Sequence, residues 1–265
     1  MITPTYIITL ASAHRRREFQ RQQAERLGFE PVWHPAVGIQ DISDEFFQAH
    51  AFRWRRPLKK TEVGCFLSHL SLWKLIQASG QPGVVLEDDA ILGPHWVADI
   101  QALSQLQDID YVCLETWKNK ILSSERTAGH LKLRRLHLNS AGAAGYMLWP
   151  TGAARLIAQY EAIGPGLADG FINNIDDWRA WQLVPANVIQ LCVAPLYGMV
   201  PPEDPRSLIS NVATQSTPMP DLGLQVRMKL RRVLGELRKA KINLGVFAGR
   251  SRLRVPFQSQ PFQGD

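Results

Sequence analysis

The chain has 265 residues, 45% of them apolar and eight of them Trp, enough to bury the core of one large domain or two small ones. No apolar run approaches the roughly 18–20 residues of a membrane span, and the short run Ile7–Leu10 is followed, not preceded, by positive charge, so neither an integral anchor nor a signal peptide is expected. The net charge of +6 is uneven: residues 221–265 hold ten Lys/Arg and three Asp/Glu, which leaves the body near neutral and excludes a broad nucleic-acid surface there.

In chain order, Thr5 to Leu10 reads as a first strand, and Arg15 to Leu27 as a polar helix with Phe19, Ala24 and Leu27 inward, ended by Gly28. A second strand is expected over Val32–Val37 and an Arg- and aromatic-rich loop with a short helix over Asp41–Lys60. Thr61 is the expected N-cap of an amphipathic helix running to about Ala78, closed by Gly80 and Pro82. A buried-type strand follows at Val84–Leu86, then a helix over His95–Leu106 and a strand over Ile109–Leu114. Trp117 to Leu138 reads as an excursion over the site, Ala143–Trp149 as a strand, and Thr151 as the cap of a helix reaching Tyr160. Val188–Ala194 is a late strand, Tyr197–Pro220 a loop rich in Pro and Ser, and the segment from Asp221 basic and partly helical. Strands alternating with helices indicate an α/β fold. Cys65, Cys113 and Cys192 are too scattered for a disulfide framework and suit a reducing cytoplasm.

The stretch with most chemistry is Val84-Val85-Leu86-Glu87-Asp88-Asp89-Ala90, an apolar run ending in three carboxylates. Ligands in open α/β sheets bind beyond the carboxyl ends of strands. Side chains alternate along an extended chain, so Glu87 and Asp89 are expected on one side as ligands of Mn²⁺ or Mg²⁺, with Asp88 on the other. The competing reading is a solvated acidic turn. Arg16 and Arg17 stand where the first strand enters a helix, a place suited to phosphate, or else form a solvated helix face. Glu62, Cys65 and His69 share a helix face. Zinc on Cys65 and His69 needs two further ligands that no second Cys/His cluster supplies. Gly64 and Cys65 suit close packing; Glu62, Ser68 and His69 are expected to face a ligand, and a hydrogen-bonded core histidine is the alternative for His69. Tyr146 reads as a core aromatic.

Several of these stretches together resemble glycosyltransferase family 25: Tyr6-Ile7-Ile8-Thr9-Leu10 with Arg16-Arg17; Leu58 to His69, containing Thr61-Glu62-Val63-Gly64-Cys65-Phe66-Leu67-Ser68-His69, with Trp73; Leu86-Glu87-Asp88-Asp89-Ala90; and more weakly Ala144–Leu148 with Gly152-Ala153 and Asp169. The resemblance covers roughly residues 4–195. It implies a GT-A-like α/β/α sandwich with a Rossmann-like nucleotide-sugar-binding sheet over 1–220, followed by a basic amphipathic tail over 221–265. It implies transfer of galactose or glucose from a UDP-sugar to a lipooligosaccharide or related glycan, with inversion, and a bacterial type of enzyme. On that reading Thr9, Arg16, Arg17, Ser68 and Asp88 serve the donor, Glu87 and Asp89 the metal, and Asp169, Glu62 and His69 catalysis. Asp169 is the candidate base, with Asp176 and Asp177 as runners-up beside Trp178, a candidate sugar platform. A metal-dependent phosphoesterase or nucleotidyltransferase and a non-catalytic carbohydrate-binding protein are the competing functions.

In the tail, Leu222, Val226, Leu230, Val233, Leu234 and Leu237 fall at helical spacings among Arg and Lys. Such a helix either packs its apolar side on the domain or lies in an anionic membrane interface, gaining about 1 kcal/mol per Lys/Arg near the surface. A cytoplasmic enzyme held peripherally on the inner membrane is the expectation.

Overall fold

Tyr6, Ile7 and Ile8 favour extended backbone, and Thr5–Thr9 forms β1 with every residue buried. The computed structural model describes residues 3–117, 120–125, 131–139, 142–175, 178–201, 203–204 and 221–258. After β1 come α1 (His14–Leu27), β2 (Pro31–Pro35), α2 (Asp44–His50), α3 (Lys60–Ser79), β3 (Gly83–Glu87), β4 (Ala90–Leu92), α4 (Trp96–Ser104), β5 (Tyr111–Cys113), β6 (Lys120–Glu125), β7 (Leu133–Leu138), β8 (Gly145–Leu148), α5 (Pro150–Ile163), α6 (Ala168–Ile172), β9 (Ala180–Leu183), β10 (Val188–Gln190), α7 (Leu222–Asn243) and β11 (Ser251–Arg254).

Among the described residues the main sheet runs β11-β6-β7-β9-β5-β8-β3-β1-β2, and β10 pairs with β4 in a separate ribbon. Strands β2, β1 and β3 are mutually parallel, as are β5 and β9, while β8 runs antiparallel between β3 and β5. The centre of the sheet is apolar on both faces, as expected where helices cover both sides. Tyr6, Ile8, Val85, Tyr111 and Tyr146 pack with Phe66, Trp73 and Leu156 of α3 and α5. Ile7, Val84, Leu86, Val112 and Met147 pack on the other face with Trp96, Ile100 and Leu103 of α4. This is the mixed α/β sandwich with a Rossmann-like, GT-A-like sheet that the sequence implies.

Helix α3 is the hinge between sheet and site. Phe66 packs edge-on to Trp73 at 5.5 Å and to Phe171 of α6 at 4.7 Å. A Cβ at Gly64 would sit 2.5 Å from the Val37 carbonyl oxygen, so only glycine lets α3 approach the chain leaving β2 this closely. Ser68 then bridges the two, accepting from Val37 N at 2.8 Å and donating to the Gly64 carbonyl at 2.7 Å.

The structure corrects several expectations. Thr61 lies inside α3, not at its cap; Lys59 is the capping position, and its N–H donates to Glu62 at 2.8 Å. Thr151 likewise lies inside α5, where its hydroxyl donates to Asp110 at 2.7 Å. The Trp117–Leu138 excursion contains β6 and β7, which pair antiparallel and extend the sheet. In β7 the burial comes only at every third residue, Leu133 and Leu136, among charged neighbours, which hides the strand. The late strand stops at Gln190 and continues as a 3-10 helix, Leu191–Tyr197. Within the basic C-terminal segment, Ser251–Arg254 forms β11 on the edge of the sheet beside β6.

Candidate active site

Strand β3 ends at Glu87, and Asp88 and Asp89 form the turn into β4. Because the extended run stops there, period-two alternation stops with it. Glu87, Asp88 and Asp89 all line one cavity of about 260 Å³, together with Thr9, Arg16, Gly38, Thr61 and Cys65. The expectation that Asp88 faces away is therefore corrected. A larger hollow of about 650 Å³, lined by Thr3, Thr5, Trp96 and Gln101, lies at the amino end of β1 and has no titratable lining residue. The chemistry sits at the carboxyl ends of β1 and β3, where α/β sheets place ligands.

The acidic turn is gripped from α1. Gln20 donates to the Asp88 and Ala90 carbonyls at 3.0 and 2.8 Å, and Gln23 donates to Ala90 O at 2.9 Å while accepting from Leu92 N at 2.9 Å. Thr9 at the end of β1 donates to Asp88 Oδ2 at 2.8 Å. Asp89 accepts from Leu191 N through its carbonyl at 2.9 Å, and its Oδ1 is buried with no hydrogen-bond partner among the described residues.

Glu87 is held from behind. His69 is fully buried, and its Nε2 lies 3.2 Å from Glu87 Oε1; its Nδ1 lies 2.9 Å from the Tyr146 hydroxyl, which accepts from Trp73 Nε1 at 2.8 Å. Indole N–H only donates. A Glu87 carboxylate only accepts, so a neutral His69 gives it the Nε2 proton and leaves Nδ1 to accept the tyrosyl proton of Tyr146. This assignment follows from the donor inventory. His69 thus stands behind Glu87 and does not line the cavity, so its expected place facing the ligand is corrected: the packing of α3 buries it between Tyr146 and Glu87.

Like charges crowded out of water are costly. Burial, with Glu87 and Asp88 alongside, pushes Asp89 up to about 8. Burial raises Asp88 as well, opposed by Thr9 and Arg16. The residues fit a hard divalent cation: three carboxylates border one cavity and one buried oxygen lacks a partner. A tighter group, with ligand atoms within 4.8 Å, is Cys65, His69 and Glu87. There the imidazole N–H is already committed to Glu87, and burial, with Glu87 next, pushes the Cys65 thiol far up, so this group is a hydrogen-bonded network that disfavours the thiolate zinc needs.

Of the adjacent arginines, Arg16 is buried and lines the cavity, donating to the Asp204 carbonyl at 2.6 Å. Arg17 instead lies over the Trp33 ring at 5.1 Å, and Arg15 pairs with Glu203 at 3.1 Å. Successive helical residues fan about 100° apart, so the expected place of Arg17 at the donor is corrected. Ser68 borders the cavity with its hydroxyl already committed to α3 and Val37.

Glu62 and Asp169 lie outside this cavity lining, on the α3–α6 side. Arg56 grips Glu62 through two hydrogen bonds, at 2.8 and 3.0 Å. Burial alone would raise Glu62, but Arg56 and the Lys59 N–H together lower it. Glu62 is therefore a helix-capping and ion-paired carboxylate. Asp169 opens α6, accepts from Gly170 N at 2.6 Å and is raised by burial. The small residues around it have a packing reason: a Cβ on Gly166 would meet the Trp54 ring at 2.6 Å. Trp178 is buried against Tyr111 at 5.4 Å, which corrects its reading as a sugar platform. Asp176 and Asp177 lie outside the described residues.

A family model described as glycosyltransferase family 25 (LPS biosynthesis protein) matches residues 2–173. The chain belongs to glycosyltransferase family 25. The match spans β1 through α6 and so contains the whole cavity floor and Asp169. A glycosyltransferase 25 family member of Aedes aegypti is 31% identical over 105 residues, covering 36% of this chain and 17% of that protein. One from Drosophila pseudoobscura pseudoobscura is 26% identical over 166 residues, covering 58% of this chain and 26% of its own length. The chain thus spans a minor part of the curated relatives it matches, and those relatives are insect proteins.

Three buried polar residues of this family 25 glycosyltransferase, Gln20, Gln23 and Glu115, fall outside the motifs legible in the sequence. The glutamines are i, i+3 neighbours on the buried side of a polar helix, a signal that they bond to backbone. Glu115 follows β5 as Glu87 ends β3. It is buried, accepts from Ala144 N at 3.1 Å, and is pushed up to about 8 by burial and then by Glu87.

Proposed function

We propose that this family 25 glycosyltransferase moves a hexose, galactose or glucose, from a UDP-sugar to a lipooligosaccharide or related glycan acceptor, with Mn²⁺ or Mg²⁺ bound by Glu87 and Asp89. The observation that carries this reading is the meeting of Glu87, Asp88, Asp89 and the buried Arg16 around one cavity at the strand ends. When bound, the cation neutralises charge on the leaving diphosphate.

The side chains divide the remaining work. Arg16 offers a fixed cation to phosphate oxygens. Thr9 holds Asp88, and the Trp73–Tyr146–His69 chain holds Glu87, so neither carboxylate has to be ordered on donor binding. In an inverting displacement the acceptor hydroxyl oxygen bonds to the anomeric carbon as the bond to the UDP oxygen breaks; UDP keeps the electron pair and Asp169 takes the hydroxyl proton. A buried carboxylate with a raised proton affinity suits a base working near neutrality. The family's association with LPS biosynthesis supports a bacterial, lipid-linked acceptor, and with it a peripheral position on the cytoplasmic side of a membrane. No helix among the described residues is long and apolar enough to cross one.

Incubation with radiolabelled UDP-galactose or UDP-glucose, Mn²⁺ and a lipooligosaccharide acceptor tests the reading. Label in the acceptor supports it. Release of UDP or UMP without label in any acceptor would support a hydrolase, and unchanged donor a carbohydrate-binding protein.

A further inference from the structure

Helix α7 has an apolar stripe and a basic border, and its pose is the reverse of a packed core helix. Its domain side is mostly polar or small, with Met228 buried and Leu224 and Ile242 half-buried. Arg231 reaches the Arg53 carbonyl, Arg238 donates to the Asn173 and Ile175 carbonyls at 3.3 and 2.9 Å, and Gly235 lies so close to Arg55 that a Cβ would meet its guanidinium carbon at 2.6 Å. Met228 is the one buried apolar side chain of α7 among the described residues. The stripe Leu222, Val226, Leu230, Val233 and Leu237 faces solvent, with Leu237 61% exposed, and Phe247 just beyond the helix is 91% exposed. Arg231 and Arg238 bond to the domain, Lys229 and Arg232 are exposed, and the single acid of α7, Glu236, is paired with Lys239 at 3.0 Å.

We infer that this outward stripe is a docking surface for an anionic lipid bilayer, already presented in the folded protein. The inference deepens the reading of a lipid-linked acceptor and rests on it for its use, not for its geometry. An apolar face of this width without cover among the described residues fits insertion at the headgroup boundary. The charge selects the occupant. A second copy of the same helix would bring Arg227, Lys229 and Arg232 against their own kind, whereas an anionic surface takes up both the stripe and its basic border. The pose also has a consequence for the site. Arg238 is braced on Asn173, whose side chain donates to the Asp169 carbonyl at 2.8 Å, and Arg55 links to Asn174 at 2.7 Å. The membrane-facing helix therefore stands on the segment that follows Asp169, which sets the acceptor side of the enzyme next to the bilayer.

Co-sedimentation of the full chain with vesicles tests this. Binding is expected to phosphatidylcholine vesicles containing phosphatidylglycerol and not to phosphatidylcholine alone. The triple variant Leu230→Ser, Val233→Ser, Leu237→Ser should bind the mixed vesicles about tenfold or more weakly. The double variant Lys229→Glu, Arg232→Glu should lose binding while leaving every apolar residue in place. Both sets alter exposed positions, so thermal unfolding should be unchanged. Equal binding of wild type and both variants would overturn the inference. So would a dimer in sedimentation velocity that the Ser variant dissolves, since the stripe would then be a protein interface. Vesicle binding reads this inference alone, and transfer of labelled sugar reads the catalytic proposal, so each fails separately.

Discussion

His69 Nε2 lies 3.2 Å from Glu87 Oε1, joining a fully buried ring in the middle of α3 to the carboxylate that ends β3. That bond makes the packing of a helix into a property of the cavity, since the direction of Glu87 is fixed by Tyr146 and Trp73, two and three hydrogen bonds away.

Tyr146→Phe should therefore act at a distance. It strands the Trp73 N–H and the proton-accepting His69 Nδ1, and it should cost about 1–3 kcal/mol of stability by urea unfolding. Outer partners of ligand side chains typically matter about 10–100-fold, so the half-saturating Mn²⁺ concentration for transfer should rise within that range. A pure stability loss with unchanged Mn²⁺ dependence would show that the chain does not position Glu87.

Gly64→Ala tests the close approach of α3. The added methyl would meet backbone, the Val37 carbonyl at 2.5 Å, and backbone cannot swing aside as a side chain can. Destabilisation of about 1–3 kcal/mol is expected from overpacking, with the Val37–Ser68 bond loosened. Unfolding within error of wild type would contradict the geometry.

How far the sequence led is clear from particular residues. Gly28, Gly80 and the apolar run before Glu87 located β1, α1, α3 and β3, because chain breakers and continuous burial leave strong local marks. The grouping of Arg16 with the acidic turn was also legible. Three things were not. The alternation rule failed at Asp88 because it holds only while the strand lasts. Arg17 was inseparable from Arg16 because their difference is rotational position in a helix whose first turn sequence cannot phase. Strands β6, β7 and β9 are short and mix apolar with polar or charged residues, so each draws its stability from its neighbours in the sheet.

Arg16 and Arg17 should separate cleanly on substitution. Arg16→Ala should weaken UDP binding in the presence of Mn²⁺ about tenfold or more, as expected for loss of a charge-assisted contact to phosphate. Arg17→Ala removes a ring contact on Trp33 and should leave UDP affinity within about twofold. Isothermal titration of both variants decides it; equal losses would place Arg17 at the donor after all.

Glu115 gives a pH signature. Its folded proton affinity, about 8, lies above the ordinary value of 4.5, so the folded state holds the proton more tightly than the unfolded chain. The stabilisation is full below the unfolded value and is lost as pH rises through about 8. Glu115→Gln removes this group's titration, so urea unfolding of the variant between pH 5 and 9 should fall less steeply than that of wild type. Parallel slopes would mean that Glu115 is already ionised in the folded protein.

At the centre of the proposed function stands a divalent cation, bound by the acidic turn after β3 and needed by the donor diphosphate. The most direct test is isothermal titration of UDP into wild type and Asp89→Asn, each with Mn²⁺ and with EDTA. Wild type should bind UDP much more tightly with Mn²⁺, and Asp89→Asn, which keeps the shape and loses a charged ligand, should bind UDP equally weakly in both. A Mn²⁺-dependent gain in Asp89→Asn as large as in wild type would contradict it.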